Sequence, residues 1–290
     1  MIKITHEFPL CYYLNGDADR LTDYDYCLVH RYLKNSKYRE YMKNQVAKGR
    51  IVYLDNSLYE LGSAWNNEDY VKVIKDLRPT YYMLPDVFIG GITNIDSQLG
   101  FLNLYGKELE PSIAIAIPHS TDLISLSLQL KKFCEILPKE IMIAIPFGDN
   151  SFKNTNHEVG YFNCEDIPYE PLRMALNRKM FIKTFFNILK DRKIHLLGCK
   201  SLAEFDNWNS NFDKANIISL DTSHPVAMSL EGPCNTYKWG FFNPEKGIKM
   251  AMHFYKPTFL IDKNFENDYN IDIDENVKYF QNYVKEWSTK

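Results

Sequence analysis

A chain of 290 residues, 45% hydrophobic and 24% charged, has the make-up of a folded globular protein and excludes a disordered or fibrous one. No apolar run approaches the roughly 20 residues of a membrane helix, and the opening Met1 to Pro9 lacks the apolar segment and cleavage site of a secretory signal; a cytoplasmic protein without a membrane partner is expected. Six scattered cysteines, with no Cys-x-x-Cys pair and no Cys/His cluster, argue against a disulfide framework and a structural zinc site, and a net charge of −3 does not advertise a polyanion partner.

Residues 8–14 read as a first strand ended by the Asn15-Gly16 turn, and residues 24–29 as a second. A Tyr- and Lys-rich helix over about 31–47 follows, closed by Gly49. Residues 51–54 form the third strand, ending at Asp55-Asn56-Ser57, after which Asn67 caps a helix that Pro79 stops. The fourth strand, 80–84, ends at Pro85-Asp86 and Gly90-Gly91 before a helix over about 95–105. The fifth, 112–117, ends at Pro118-His119-Ser120, and Thr121 caps a helix to about Leu137. The sixth, 141–145, ends at Pro146-Phe147-Gly148-Asp149. A polar excursion (150–169) and a basic helix (172–189) lead to the seventh, 194–197, ending at Gly198-Cys199-Lys200, and Ser201 to Glu204 reads as a capping box. The eighth strand, 217–220, must stop before Pro225, which leaves Asp221 where strand gives way to loop. An irregular aromatic and Pro/Gly-rich piece then runs to a terminal helix over about 273–287.

Strands alternating with helices imply parallel βαβ units, and continuous apolar strands are what a parallel sheet covered on both faces requires. Eight of them in about 210 residues predict an α/β fold, a (β/α)8 TIM-type barrel. One domain is expected over 1–290, with a barrel core at about 8–225 and a C-terminal extension at 226–290. No Gly-x-Gly-x-x-Gly follows the first strand and no Gly-Lys-Ser/Thr loop is present, against a nucleotide-binding sheet.

In such a barrel all strand C-termini open on one face, so Asp55, Asn56, Ser57, Asp86, His119, Phe147, Gly148, Asp149, Cys199, Lys200, Asp221 and His224 converge on one rim. Singly, each such residue caps a turn or fills a loop. Jointly they provide carboxylates from different strands, as retaining glycosyl transfer needs: one to attack the anomeric carbon, one to protonate the leaving group. Asp221 and Asp55 suit those parts. Asp86 can accept from the N–H groups of a guanine-like ring, while His119 and the backbone at Phe147-Gly148 can hold its carbonyl.

Leu54-Asp55-Asn56-Ser57, Asp86, Ile117-Pro118-His119, Ala144 to Asp149, Leu197 to Glu204 and Asp221-Thr222-Ser223-His224-Pro225 occur in an order and spacing that resemble the motifs of the tRNA-guanine transglycosylase superfamily. The likeness is to its phage-type members, which place 7-deazaguanines in DNA, and it spans about residues 8–225. It implies Asp221 as nucleophile, Asp55 as general acid/base, and base binding by Asp86, His119, Phe147, Gly148, Asp149, Asn56 and Ser57. His30 falls where the family has a His after its Asn-Thr-Tyr. The family's glycines after the acid are Asn56 and Ser57 here, and its recognition Gln is His119. The family's C-terminal zinc site, a Cys-x-Cys-x-x-Cys followed by His, is absent, since past Asp221 the one Cys is Cys234, with His253 beyond it, which favours DNA over tRNA as the substrate.

The implied reaction flips a guanine nucleotide out of its stack, links its C1′ to Asp221, and replaces guanine with a free queuine-like 7-deazaguanine such as 7-cyano-7-deazaguanine; it calls for no cofactor and no metal. The uneven charge then finds a use. Residues 31–50 hold seven Lys/Arg against one acid and residues 172–200 eight against one, net +6 and +7, so the remainder carries −16. Arg173, Arg178, Lys179, Lys183, Lys193 and Lys200, with His224, Lys34, Lys37 and Arg39, are expected to hold phosphates, and Lys43 with Tyr32, Tyr38 and Tyr41 to add charge and stacking surfaces. An oligomer stays open, and a phage-encoded chain would work in the host cytoplasm. Three rivals stand beside this reading: a tRNA-guanine transglycosylase; a barrel nucleosidase or glycoside hydrolase, for which only Trp239 lies near the rim; and an inactive nucleic-acid-binding barrel. A metal-dependent hydrolase is disfavoured because no His-x-His or His-x-x-x-His pair occurs.

Overall fold

A computed structural model of the chain describes residues 1–88, 90–147, 150–152, 170–199, 202–205, 216–226 and 270–289. Eight strands, β1 (Lys3–His6), β2 (Asp25–Leu28), β3 (Val52–Asp55), β4 (Tyr81–Met83), β5 (Ile113–Ala116), β6 (Met142–Pro146), β7 (Ile194–Leu197) and β8 (Ile217–Thr222), form one sheet in the order β1-β8-β7-β6-β5-β4-β3-β2. Every neighbouring pair is parallel. The fold is therefore α/β with a nearly closed, eight-stranded parallel barrel. Where β1 and β2 meet, the Asp23 N–H donates to the Ile4 carbonyl at 2.8 Å, the Ile4 N–H to Asp23 Oδ2 at 3.0 Å, and the Thr5 hydroxyl to the Tyr24 carbonyl at 2.7 Å.

Seven strands lie within a residue or two of their expected positions, and the first does not. Residues 8–14 were expected to be that strand, with the core beginning at about 8; instead Lys3–His6 pairs with β8, and Leu10–Leu14 is a helix, α1. Pro9 explains the difference: it has no N–H for a ladder, and its φ of −55° suits a helix start.

The side-chain alternation of the strands separates two cores. Tyr24, Tyr26, Leu28, Tyr53, Met83, Ile115, Ile117, Met142 and Ala144 fill the barrel interior. Their strand neighbours Cys27, Val52, Leu54, Tyr82, Ala114, Ile143, Ile145, Ile194 and Leu196 belong to the layer packed under the helices. That layer is covered by α2 (Asp17–Leu21), α3 (Val29–Lys34), α4 (Ser36–Ala47), α5 (Leu58–Leu61), α6 (Asn67–Leu77), α7 (Gly91–Tyr105), α8 (Leu123–Ile136), α9 (Glu170–Thr184), α10 (Phe186–Leu189) and α11 (Asn270–Thr289).

The expected helix over 31–47 is two, because extended Asn35 interrupts it and accepts a hydrogen bond from the Tyr38 N–H at 3.0 Å as the cap of α4. Asn66 rather than Asn67 caps α6, and Asp122 rather than Thr121 caps α8. The terminal helix α11 is tied to the first βα segment through Arg20–Asp274 (2.5 Å), Lys285–Asp23 (3.1 Å) and the Gln281 amide on the Leu21 carbonyl (2.5 Å). Most of the irregular extension that precedes it, and Trp239 within it, lies outside the described residues.

Candidate active site

Parity along the strands aims the two key carboxylates inward. Asp55 lies two residues beyond the interior-facing Tyr53 on β3, and Asp221 lies two beyond Ser219 on β8, whose hydroxyl is 3.0 Å from the Tyr53 hydroxyl. Both side chains line one cleft of about 860 Å³ including its open mouth, together with Asp86, His119 and Phe147.

Asp221 is buried, and its Oδ1 accepts a hydrogen bond from the Gly198 N–H at 2.8 Å and stands 3.0 Å from His195 Nε2. Gly198 takes φ +65°, a conformation that glycine adopts without strain, which turns its N–H toward Asp221. The Thr222 hydroxyl donates to the Cys199 carbonyl and ties this turn to β8.

Asp55 Oδ2 accepts from the Tyr26 hydroxyl at 2.7 Å and Oδ1 from the Ser57 N–H at 2.5 Å. Loss of solvent around it, reinforced by the Asp86 and Asp221 carboxylates, outweighs those two donors and lifts its pKa to about 7. Glu60, lining the same cleft, is pushed well above the usual carboxylate range, first by burial and then by Asp55 and Glu7.

Asp86 and His119 form a buried pair, His119 Nε2 to Asp86 Oδ2 at 2.7 Å, with the Asn56 amide on Asp86 Oδ1 at 2.8 Å. A carboxylate oxygen has two lone pairs, so Asp86 keeps acceptor capacity toward the cleft. An amide network backs this pair. Gln98 and Asn94 bond the Ile117 backbone at 2.7–2.9 Å, and Gln129 bonds both Asn94 and the His119 carbonyl. Gly90 packs so closely that a Cβ built on it would stand 1.9 Å from the His119 carbonyl oxygen.

The structure thus brings Asp55, Asn56, Asp86, His119, Phe147 and Asp221 to one cleft. Ser57 was expected to face the base and does not: fully buried, it is 2.8 Å from His30 Nδ1, and its contribution to the cleft is the N–H held by Asp55. Gly148, Asp149 and Lys200 lie outside the described residues, as does the Arg173 side chain. Cys199 lines the cleft and stands 3.5 Å from Glu204.

The basic residues need more correction. Arg178 is fully buried, paired with Glu204 at 2.5 and 2.6 Å, bonded to the Ile145 and Leu197 carbonyls, and packed over the Phe147 ring. It braces the β6 and β7 ends and has no face left for phosphate. The capping box expected of Ser201 to Glu204 begins at a residue outside the described ones. Lys179 is also buried, and Lys193 precedes β7 and so lies at the opposite end of the barrel from the cleft. Arg39 is spent on the Tyr32 and Leu33 carbonyls at 3.1 and 3.0 Å. Tyr32 and Tyr38 are buried in the core and offer no free stacking face, whereas half-buried Tyr41 packs edge-on against Tyr13 with its hydroxyl on Asp19 and Asp25. Lys34 and Lys37 are exposed; Lys183 and His224 are half-buried.

Tyr26 and His195 are not among the site residues expected from the sequence, because those lie at or past the strand ends and these two lie within strands. Their signal was parity: each occupies an inward position on its strand, where a polar group needs a partner. Among the described residues no three His, Cys, Asp or Glu side chains are grouped to hold a metal ion, and no helix is long and apolar enough to cross a membrane. No protein-family model and no curated protein matches the sequence.

Proposed function

We propose that the cleft carries out guanine transglycosylation on DNA, with the barrel read as a (β/α)8 barrel of the TIM type. One observation carries the reading: a carboxylate with one oxygen held by N–H donors (Asp221) shares a cleft with a carboxyl lifted to about pH 7 (Asp55). Those are the states required of a nucleophile and of a group that must first give and then take a proton near neutrality. The Asp86–His119 pair puts a buried carboxylate, ordered by the imidazole, on the cleft wall, and its acceptor capacity fits the N–H edge of a guanine-like base. Lys34 and Lys37 are the exposed cations left for a phosphate backbone near the second strand, and the role of Lys200 and Arg173 rests on the sequence alone.

In this mechanism Asp221 attacks C1′ of an extruded guanine nucleotide while Asp55 protonates the departing guanine. A free 7-deazaguanine then loses its ring N–H proton to Asp55 and displaces Asp221. The test is release of labelled guanine from DNA and, in parallel, from tRNA, in the presence of 7-cyano-7-deazaguanine. Release from DNA, with a covalent DNA adduct that disappears in Asp221→Asn, is the expected result. Release from tRNA alone would overturn the choice of DNA, and base release without incorporation would make the protein a hydrolase.

A further inference from the structure

We propose that His195 is a positioning residue for Asp221: through a buried relay with Ser219 and Tyr53 it selects the attacking carboxylate oxygen and assists that carboxylate's departure from the glycosyl-enzyme. The inference rests on the transglycosylase reading of the same site. Along the relay, the Tyr53 hydroxyl is 3.0 Å from Ser219 Oγ, Ser219 Oγ is 3.0 Å from His195 Nδ1, and His195 Nε2 is 3.0 Å from Asp221 Oδ1. His195 and Ser219 are fully buried, and the Tyr53 ring lies 5.4 Å from the imidazole, centroid to centroid.

An ionised carboxylate only accepts hydrogen bonds, so the Nε2 facing it carries the proton. A neutral ring then leaves Nδ1 an acceptor, filled by the Ser219 hydroxyl, which itself accepts from Tyr53. Donation runs one way, from β3 through β8 and β7 to the nucleophile. His195 and Gly198 both end on Oδ1, and no hydrogen bond from the described residues reaches Oδ2. Oδ2 is the oxygen turned to substrate.

In the first step Oδ2 bonds to C1′ as the C1′–N bond breaks; its electron pair leaves with guanine, which takes the Asp55 proton. Oδ1 becomes the ester carbonyl, a weaker acceptor than a carboxylate. In the second step the incoming base gives its ring proton to Asp55, its nitrogen bonds to C1′, and the C1′–Oδ2 pair returns to Asp221. The His195 bond strengthens as that charge returns, so the relay acts most on breakdown of the covalent state.

Two measurements test this. Ring ¹⁵N–¹H spectra of the full chain should show His195, identified by its loss in His195→Gln, with the proton on Nε2; a proton on Nδ1 alone overturns the relay. In a chase of trapped DNA adduct with free base, His195→Leu should lengthen the adduct half-life about tenfold with the KM for free base unchanged, and His195→Gln, which keeps an N–H at that reach, should restore it to within about threefold. Should the leucine variant fail to fold, Ser219→Ala, which removes only the hydroxyl behind the ring, should lengthen the half-life by a smaller factor. An unchanged half-life in Ser219→Ala and in whichever His195 variants fold overturns the proposal. A wild-type protein with Nε2–H that forms no adduct overturns the transglycosylase reading and the relay's part in it, whereas a normal adduct with Nδ1–H overturns the relay alone.

Discussion

At the β8 end of the cleft Asp221 has the Gly198 N–H and His195 Nε2 on one oxygen and no hydrogen bond from the described residues on the other, whereas at the β3 end Asp55 has a donor on each oxygen and is hemmed in by Asp86 and Glu60. The residue type is the same and so is the position, two residues past an interior side chain. What differs is the surroundings. Donors concentrated on one oxygen fix a carboxylate's orientation, while lost solvent and like charges favour a proton that can be lent and recovered. Division of labour between the two acids follows from their neighbours.

Asp55→Asn should have the largest effect at its end. With no proton to give, guanine release should fall by about 10²–10⁴-fold. In the wild type the protonated donor is lost above about pH 7, so single-turnover guanine release should decline about tenfold for each pH unit beyond it. The same shift bears on stability. The folded pKa lies above the unfolded value of 3.8, so the native state holds an extra proton between the two, and stability falls as pH rises from about 4 to 7. Asp55→Asn should therefore unfold at higher denaturant than wild type at pH 8, by up to about 4 kcal/mol, with the difference vanishing near pH 4. A flat difference across that range would mean Asp55 is ordinary.

Gly90→Ala should break the comparison from the base-reading side. At φ +70°, with a Cβ that would stand 2.6 Å from Ser120 Cα as well as against the His119 carbonyl, an alanine must displace the β5 rim. About 2–4 kcal/mol of stability should be lost, as strained backbone substitutions cost. Affinity for the free base should drop with it, while His195 and Gly198 still hold Asp221. Calorimetric titration of the base against the variant checks this. Unchanged affinity would remove the Asp86–His119 pair from base binding.

How much of this could be read from the residues alone divides along physical lines. Strands β2 to β8 and the convergence of Asp55, Asp86, His119 and Asp221 followed from local apolar runs and the geometry of parallel βαβ units, which depend little on distant contacts. β1 escaped because Lys3–His6 is short and half polar, and only its pairing with β8 makes it a strand. The basic helix misled for a similar reason. Charge counted along a segment says nothing of partners, and Arg178 is neutralised by Glu204, 26 residues away in sequence. His195 and Tyr26 were hidden in apolar strands, and their roles depend on which face each strand turns inward.

Ser57 offers the finest probe of the Asp55 end. It sits at φ +61°, where a non-glycine residue costs about 1 kcal/mol, and this conformation is what points its N–H at Asp55 Oδ1. Its hydroxyl meets the His30 ring at 2.8 Å, a buried bond worth about 1 kcal/mol. Ser57→Gly relieves the first and forfeits the second, so stability should change by less than about 1 kcal/mol, read from denaturant midpoints. Activity is the sharper readout. The backbone N–H survives the substitution, so the exchange rate and its break near pH 7 should both persist. A lowered break would show that the His30–Ser57 contact, and not the N–H alone, sets the environment of Asp55. Ser57→Ala separates the two effects, since it keeps the strain and loses only the hydroxyl; it should be the less stable of the two variants by about 1 kcal/mol.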